Sequence, residues 1–187
     1  MNPRNTHERI LWITRTGILV ALLVVFQYVT SGTQAFAGQY ITGSCVNAVL
    51  AVSVLAAGLW SGVTVAFLSP FCAKLFGIGP QLIQIVPAIA VGNLVFVLVL
   101  YSLIGRSERK MWQKAAGLMA AAAAKFLTLF LLVVKFIVPM LAANLKPKQI
   151  ETFSAMFSYP QMITALIGGA LALAICPIMR KAIKSKE

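Results

Sequence analysis

Long apolar runs separated by short polar or glycine-proline segments make up most of this chain. A helix that crosses the hydrocarbon core of a bilayer needs about 20 mostly apolar residues. The pattern predicts six such helices, which cover about Ile10 to Thr30, Ile41 to Leu59, Val63 to Phe76, Gln81 to Ile104, Lys114 to Ala143, and Pro160 to Cys176 and Pro177. The predicted fold is therefore an all-α, polytopic membrane bundle.

Prolines, glycines and polar stretches divide these helices. Pro70 is expected to interrupt the third, shorter helix, and Pro87 to kink the fourth. The segment Gly77–Pro80 is a strong turn signal between the two. Two further stretches, Ser31–Tyr40 and Asn144–Ser158, are polar enough to be predicted as loops.

Composition supports a membrane-integral protein. The chain is 60% hydrophobic and 11% charged, whereas soluble domains carry about 25% charged residues. We expect no soluble domain. Residues 1–187 are predicted to form a single integral membrane domain with short cytoplasmic tails at about 1–9 and 179–187.

The charges predict an orientation. The chain has 16 Lys and Arg residues against 4 Asp and Glu residues. Most of the basic residues lie before the first helix, between the fourth and fifth, or after the sixth: Arg4, Arg9, Arg15, Arg106, Arg109, Lys110, Lys114, Arg180, Lys181, Lys184 and Lys186. Cytoplasmic loops of membrane proteins show this bias. We therefore predict both termini inside, in a cell (inner or plasma) membrane of prokaryotic type, and no nucleic-acid partner.

The chain lacks the residues that several kinds of chemistry require. The chain has no Asp, its four Glu lie outside the predicted helix cores, and its only His is His7 in the tail. Ion-coupled carriers and intramembrane proteases need intramembrane acids, His or metal ligands. The phosphate-binding pattern GxxxxGK[ST] is also missing. We expect neither an enzyme nor an ATPase, and neither a cofactor nor a metal site.

Two lysines lie inside the fifth predicted helix. Spacings of three and seven place Lys125, Thr128 and Lys135 on one broad stripe, with Lys125 near mid-membrane and Lys135 in the outer third. An intramembrane lysine usually faces a cavity or a partner. Because no acid is available in the bundle, that partner can be a bound anion such as a substrate carboxylate. Alternatively, Lys135 snorkels to the interface, and Lys125 contacts carbonyls or a partner subunit.

Amide and hydroxyl groups gather toward the same outer side. Asn47 lies near the start of the second helix, Gln81 and Gln84 at the start of the fourth, and Tyr40 in the first outer loop. Such convergence is typical of a pocket for a small polar molecule. We interpret Asn93, about half a turn around the helix from Gln84, as a bridge between helices.

Small residues recur at fourfold spacing in two helices. Gly17 and Ala21 form one pair, and Gly168 and Ala172 form the other. Such pairs permit close helix contact, and packing inside the bundle is the simpler interpretation of each. If the face of Gly17 and Ala21 points outward, it is a docking surface for another membrane protein.

The pattern of six helices in under 200 residues, without an ATPase motif, resembles the S components of energy-coupling factor (ECF) vitamin transporters. The stretch from Thr42 to Asn93, TGSCVNAVLAVSVLAAGLWSGVTVAFLSPFCAKLFGIGPQLIQIVPAIAVGN, carries the closest resemblance. The resemblance implies a vitamin site at the outer side, under a lid formed by Ser31–Tyr40. It also implies partnership with a membrane coupling subunit and two cytoplasmic ATPases. The family's Ala-xxx-Ala docking motif corresponds to Gly17 and Ala21, with Gly in place of the first Ala.

The Gly-Ile-Gly-Pro and Gly-Asn segments resemble most the pantothenate-specific branch. The carboxylate of pantothenate would suit Lys135, and its hydroxyl and amide groups would suit Asn47, Gln81 and Gln84. A pyridoxine- or pyrimidine-specific S component is the nearest alternative. A small channel or facilitator and a membrane scaffold protein are the alternatives from other functional classes.

Overall fold

The computed structural model describes residues 6–31, 35–77, 82–105 and 109–184. These ranges contain eight α-helices. They are α1 (Thr6–Ser31), α2 (Ala35–Ala56), α3 (Leu59–Leu75), α4 (Ile85–Leu100), α5 (Met111–Leu129), α6 (Val138–Leu141), α7 (Pro147–Met156) and α8 (Tyr159–Lys184).

The predicted all-α membrane bundle is confirmed. Five stretches in the described residues are long and apolar enough to cross a bilayer: Glu8–Thr30, Gly38–Ala56, Ile85–Gly105, Met111–Asn144 and Pro147–Ile178. The apolar helix α3 has 17 residues and is shorter than these five. Six apolar helices therefore form the bundle, and an integral membrane protein is the consequence.

Two of the long helices change from α-helical to π-helical geometry along their length. Helix α4 continues as a π-helix over Tyr101–Gly105. Helix α5 continues as a π-helix over Phe130–Ile137, then as α6 and a 3₁₀ turn over Ala142–Asn144. A π turn holds more residues than an α turn, so it shifts the face on which the following side chains lie.

The predicted loop Ser31–Tyr40 is wrong over most of its described length, because α2 begins at Ala35. Among the described polar residues of this stretch, Gln39 faces protein. Gln39 is half-buried, and its Nε2 donates a hydrogen bond to the backbone oxygen of Met156 at 2.6 Å. Hydropathy alone cannot distinguish a polar loop from a helix whose polar side chains point into the bundle.

The predicted loop Asn144–Ser158 is also wrong, because it contains α7. Pro147 occupies the first turn, where its missing N–H costs no hydrogen bond. The Lys146 N–H donates to Gln149 Oε1 at 3.0 Å, so the backbone donor just before the helix has a hydrogen-bond partner. Phe153 and Phe157 then lie on one buried face.

Prolines end fewer helices than predicted. Pro70 lies inside α3 and Pro177 inside α8, which continues to Lys184. Pro87 is in the first turn of α4, where it removes no helical hydrogen bond. The turn between α2 and α3 is made instead by Gly58, whose φ of 95° is a backbone conformation that favours glycine.

The core is centred on the contact between α2 and α8, the most extensive helix pair of the described residues. A Cβ atom added at Gly168 of α8 would lie 2.6 Å from the backbone nitrogen of Ala48 in α2. The missing side chain therefore sets the distance between these helices. Ala172, one turn further along α8, is fully buried, so this small-residue pair packs inside the bundle.

A second apolar cluster lies at the end of the bundle that carries α7. It joins α7 to the start of α4 and to the π-helix that continues α5. Its buried residues are Ile85, Ala88, Leu129, Val133, Val138, Phe153 and Phe157. We refer to this side of the molecule as the α7 end.

Candidate functional site

A cavity of about 980 Å³ lies among the helices at the α7 end. Its wall includes side chains from α1, α2, α3, α4, α5 and α8, and α7 contributes to its mouth. The polar and charged residues of the lining are Gln27, Tyr28, Thr30, Gln39, Thr42, Asn47, Ser69, Asn93, Lys125, Lys146, Lys148, Gln149, Thr152, Gln161 and Thr164. A cavity of this size accommodates a small polar molecule.

Lys125 forms the centre of the deep part of the cavity wall and is 3% exposed. Its Nζ donates to Asn47 Oδ1 at 2.6 Å and to Asn93 Oδ1 at 2.7 Å. The ring centroid of Phe96 lies 5.6 Å from the same nitrogen. The lysine of α5 is therefore held by amide oxygens from α2 and α4 and by an aromatic face.

Asn47 extends this network to a fourth helix. Its Nδ2 donates to Thr164 Oγ1 of α8 at 3.2 Å, and the Thr164 hydroxyl donates to the backbone oxygen of Gln161 at 3.2 Å. Both ends of the Asn47 amide are thus paired within the protein. The network fixes the relative positions of α2, α4, α5 and α8 around the deep end of the cavity.

Two polar atoms of the cavity residues have no hydrogen-bond partner in the described part of the chain. They are Asn93 Nδ2 and Gln27 Oε1. Asn93 is 1% exposed and Gln27 is 6% exposed. Buried polar groups in folded proteins are almost always paired, so these two atoms are positions where a bound molecule can supply the partner.

The mouth of the cavity is closed partly by α7. The backbone oxygen of Met156, at the end of α7, accepts hydrogen bonds from Gln39 Nε2 at 2.6 Å and from Gln161 Nε2 at 3.1 Å. These bonds join α7 to the start of α2 and the start of α8. Lys146 and Lys148, both exposed, lie at the same mouth.

The charge of the cavity lining has one sign. Lys125, Lys146 and Lys148 contribute to it, and no carboxylate does so among the described residues. Glu151 of α7 is exposed and outside the lining. A lysine-lined cavity without acids favours an anion over a cation.

The residues that the sequence singled out do not all meet at this cavity. Asn47 lines it, whereas Tyr40 is half-buried and outside the lining. Gln84 and Lys135 are exposed and also outside it. The Nζ of Lys135 lies 5.6 Å from the ring centroid of Phe130. Gln81 falls outside the described residues.

Sequence reasoning did not assign Lys125, Asn93 and Gln27 to the site. The sequence signal for Lys125 is its depth in an apolar helix without a nearby acid, which predicts contact with a bound anion, with carbonyls or with a partner subunit. Asn93 does bridge helices, as interpreted, because it accepts from Lys125. It also contributes an unpaired donor. Gln27 lies near the end of a long apolar helix, and nothing in its local sequence distinguishes it.

The small-residue pair of α1 lies on the outside of the bundle. Gly17 and Ala21 are exposed on α1, and no atom lies within 4 Å of a Cβ built at Gly17. Internal packing, the simpler interpretation of this pair, is therefore wrong. The face is open to lipid or to another membrane protein.

Comparison with known proteins agrees with this geometry. A family model described as the substrate-specific component of ECF transporters matches residues 12–180, while searches of curated proteins and of solved structures found no significant match. Proteins of this family are substrate-binding transporter subunits and not enzymes. They capture vitamin-type substrates for uptake with a membrane coupling subunit and ATPases. Because the match covers nearly the whole chain, from the first membrane helix to the last, the protein belongs to the substrate-specific components of ECF transporters.

Proposed function

We propose that this chain captures an anionic vitamin, with pantothenate as the first candidate, for ATP-driven uptake. The observation that carries the proposal is the cavity of about 980 Å³, whose lining includes three lysines and no carboxylate of the described residues. Such a lining attracts a negative charge and repels a cation such as thiamine.

The polar groups of pantothenate match the lining in kind. The molecule has one carboxylate, two hydroxyl groups and one amide. The cavity offers cationic nitrogens, side-chain amides and hydroxyls around an apolar wall that includes Val46, Ile89 and Phe157. Binding sites for small molecules usually combine an apolar wall with a few polar groups in this way.

Lys125 is the proposed partner of the vitamin's carboxylate, because it lines the cavity and is nearly inaccessible to solvent. The sequence favoured Lys135 for this role, and that remains a prediction. Its exposed position outside the lining argues for the snorkelling alternative. Binding that is lost in Lys125→Met and retained in Lys135→Met would decide in favour of Lys125.

The α7 end is proposed to face the extracytoplasmic side. The basic clusters of the sequence then lie in the cytoplasm, as the positive-inside bias requires. The exposed pair Gly17 and Ala21 on α1 is proposed as the contact for the coupling subunit, which works with two cytoplasmic ATPases. Retention of a radiolabelled vitamin by intact cells that lack the ATPases would support this orientation, and its absence would contradict it.

The experiment that tests the function is calorimetric titration of the detergent-purified protein with pantothenate, pyridoxine and thiamine. We expect one-to-one binding of pantothenate, with a Kd below about 1 μM, and no binding of thiamine. Lys114→Met is the matched control for the lysine variants, because Lys114 lies on the same helix but outside the cavity lining. Binding of pyridoxine instead would contradict the pantothenate assignment, and silence from a broad vitamin panel on folded protein would contradict vitamin capture.

A further inference from the structure

The two asparagines that hold Lys125 are not equivalent. Asn47 uses its oxygen to accept from Lys125 and its nitrogen to donate to Thr164. Asn93 uses only its oxygen, and its Nδ2 has no acceptor in the described part of the chain. Asn47 is therefore a structural link, whereas Asn93 has an unused donor.

Lys125 determines which way the Asn93 amide points. A lysine ammonium is only a donor, so the oxygen of Asn93 must face Nζ and the nitrogen must be the atom left over. Two of the three ammonium N–H groups donate to Asn47 Oδ1 and Asn93 Oδ1. The third has no acceptor among the described residues. One cationic donor and one amide donor are thus unpaired in the same pair of contacting side chains.

Gln27 presents the opposite polarity. It lies on α1, lines the same cavity, and its Oε1 is buried without a donor. An amide oxygen in this position can accept from a hydroxyl or an N–H group. The cavity therefore has an acceptor on α1 that is separate from the donors on α4 and α5.

We propose that the substrate binds with its carboxylate on Lys125 Nζ and Asn93 Nδ2, and with a hydroxyl or amide N–H on Gln27 Oε1. This inference rests on the proposed function, because it assigns the chemistry of the same cavity. A carboxylate has two oxygens and can accept one hydrogen bond from each donor. Since Lys125 is the one cation of the described residues at the deep end, it balances a single negative charge, which favours a carboxylate over a phosphate dianion.

The inference is tested with acid and neutral forms of the same vitamin. The probes are pantothenate and panthenol, in which a primary alcohol replaces the carboxylate, and biotin and biotinamide. We expect the unmodified protein to bind either pantothenate or biotin, and to bind that acid about 100-fold more tightly than its neutral form. The reason is that a carboxylate held by an ammonium and an amide gains charge-assisted hydrogen bonds. Equal affinity for the acid and its neutral form would overturn the inference.

Asn93→Asp is the decisive variant. The new carboxylate has the shape of the amide but pairs with Lys125 and repels the ligand's own carboxylate. We expect the preference for the acid to disappear, and the ligand-free protein to melt at a higher temperature because the new carboxylate pairs with Lys125 and an unpaired donor is removed. Asn144→Asp adds the same charge at an exposed position outside the cavity lining and is the matched control. A preference that survives Asn93→Asp contradicts the inference.

Gln27→Met tests the acceptor at Gln27 independently of the site proposed for the carboxylate. This change should weaken binding of the acid and of its neutral form equally, by about tenfold, because each loses the same neutral hydrogen bond. The acid preference should persist. Loss of that preference in Gln27→Met would place the carboxylate at Gln27 and overturn the assignment.

Failure of the inference can be told apart from failure of the proposed function. If pyridoxine binds and neither acid does, vitamin capture stands and the carboxylate assignment falls. If no vitamin binds to folded protein, the proposed function falls as well. The melting temperature of Asn93→Asp needs no ligand. A melting temperature no higher than that of Asn144→Asp would contradict the unpaired donor by itself.

Discussion

Moving a lysine ammonium out of water is costly unless other groups replace the lost hydrogen bonds. Lys125 meets this requirement with two amide oxygens and an aromatic face, but with no carboxylate among the described residues. A permanent acid at this position would neutralise the charge that an anionic ligand needs. Neutral amides orient the ammonium and leave its charge uncompensated, which suits the proposed binding of an anion.

Gly168 provides a prediction at the residue scale. Gly168→Ala should lower the free energy of unfolding by about 1–3 kcal/mol, because the new methyl group would contact the backbone of α2 at 2.6 Å or less. Thermal melting in detergent measures the effect. Gly17→Ala is the matched control, since no atom lies within 4 Å of its Cβ position. Equal melting temperatures for the two variants would contradict the close packing of α8 on α2.

At the scale of elements, α7 is the segment best placed to control the cavity mouth. It packs through Phe153 and Phe157 on the second apolar cluster. Its last carbonyl is held by Gln39 of α2 and Gln161 of α8. A ten-residue helix is marginally stable by itself, so these contacts hold α7 in place on the bundle.

Removing the two amide contacts should loosen α7. In the double variant Gln39→Leu and Gln161→Leu, we expect backbone hydrogen exchange of α7 to rise about tenfold or more, because two hydrogen bonds of roughly 1 kcal/mol each are lost. Exchange in α4 should stay unchanged. Gln84→Leu, at an exposed glutamine outside the cavity lining, is the matched control. Unchanged exchange in α7 would show that the apolar cluster alone holds the helix.

At the scale of the molecule, the cavity and the exposed small residues of α1 occupy separate surfaces. Gly17 and Ala21 are not part of the cavity lining, so variants can test the proposed capture and the proposed docking separately. Small side chains let another helix approach closely. A docking helix would also cover the neighbouring exposed side chains Ile13, Ile18 and Val25.

Ala21→Leu tests docking. We expect it to reduce co-purification with the coupling subunit at least about tenfold, because a bulky side chain holds the partner helix away. The melting temperature should stay near that of the unmodified protein. Ala170→Leu places the same change on an exposed position of α8 and is the matched control. If both variants assemble normally, the docking face lies elsewhere.

The local pattern was sufficient for some elements and misleading for others. The apolar runs around α1, α4 and α8 are long, so their hydropathy identified them. The start of α2 was missed because polar residues such as Gln39 face the interior. Helix α7 carried signals, with Pro147 at its start and Phe153 and Phe157 one turn apart. A polar composition outweighed these signals.

Sequence alone determined that lipid surrounds most of this protein, that six apolar helices build it, and that it carries an excess of positive charge. These properties depend on composition and on runs of neighbouring residues, which folding cannot change. Tertiary structure decided which polar groups meet. Asn47 and Asn93 reach Lys125 from helices 78 and 32 residues away in the chain. The π-helical segment Phe130–Ile137 shifts the helix phase, so Lys135 does not share the buried face of Lys125. Helix rotation and packing set these relationships, and no local pattern specifies them.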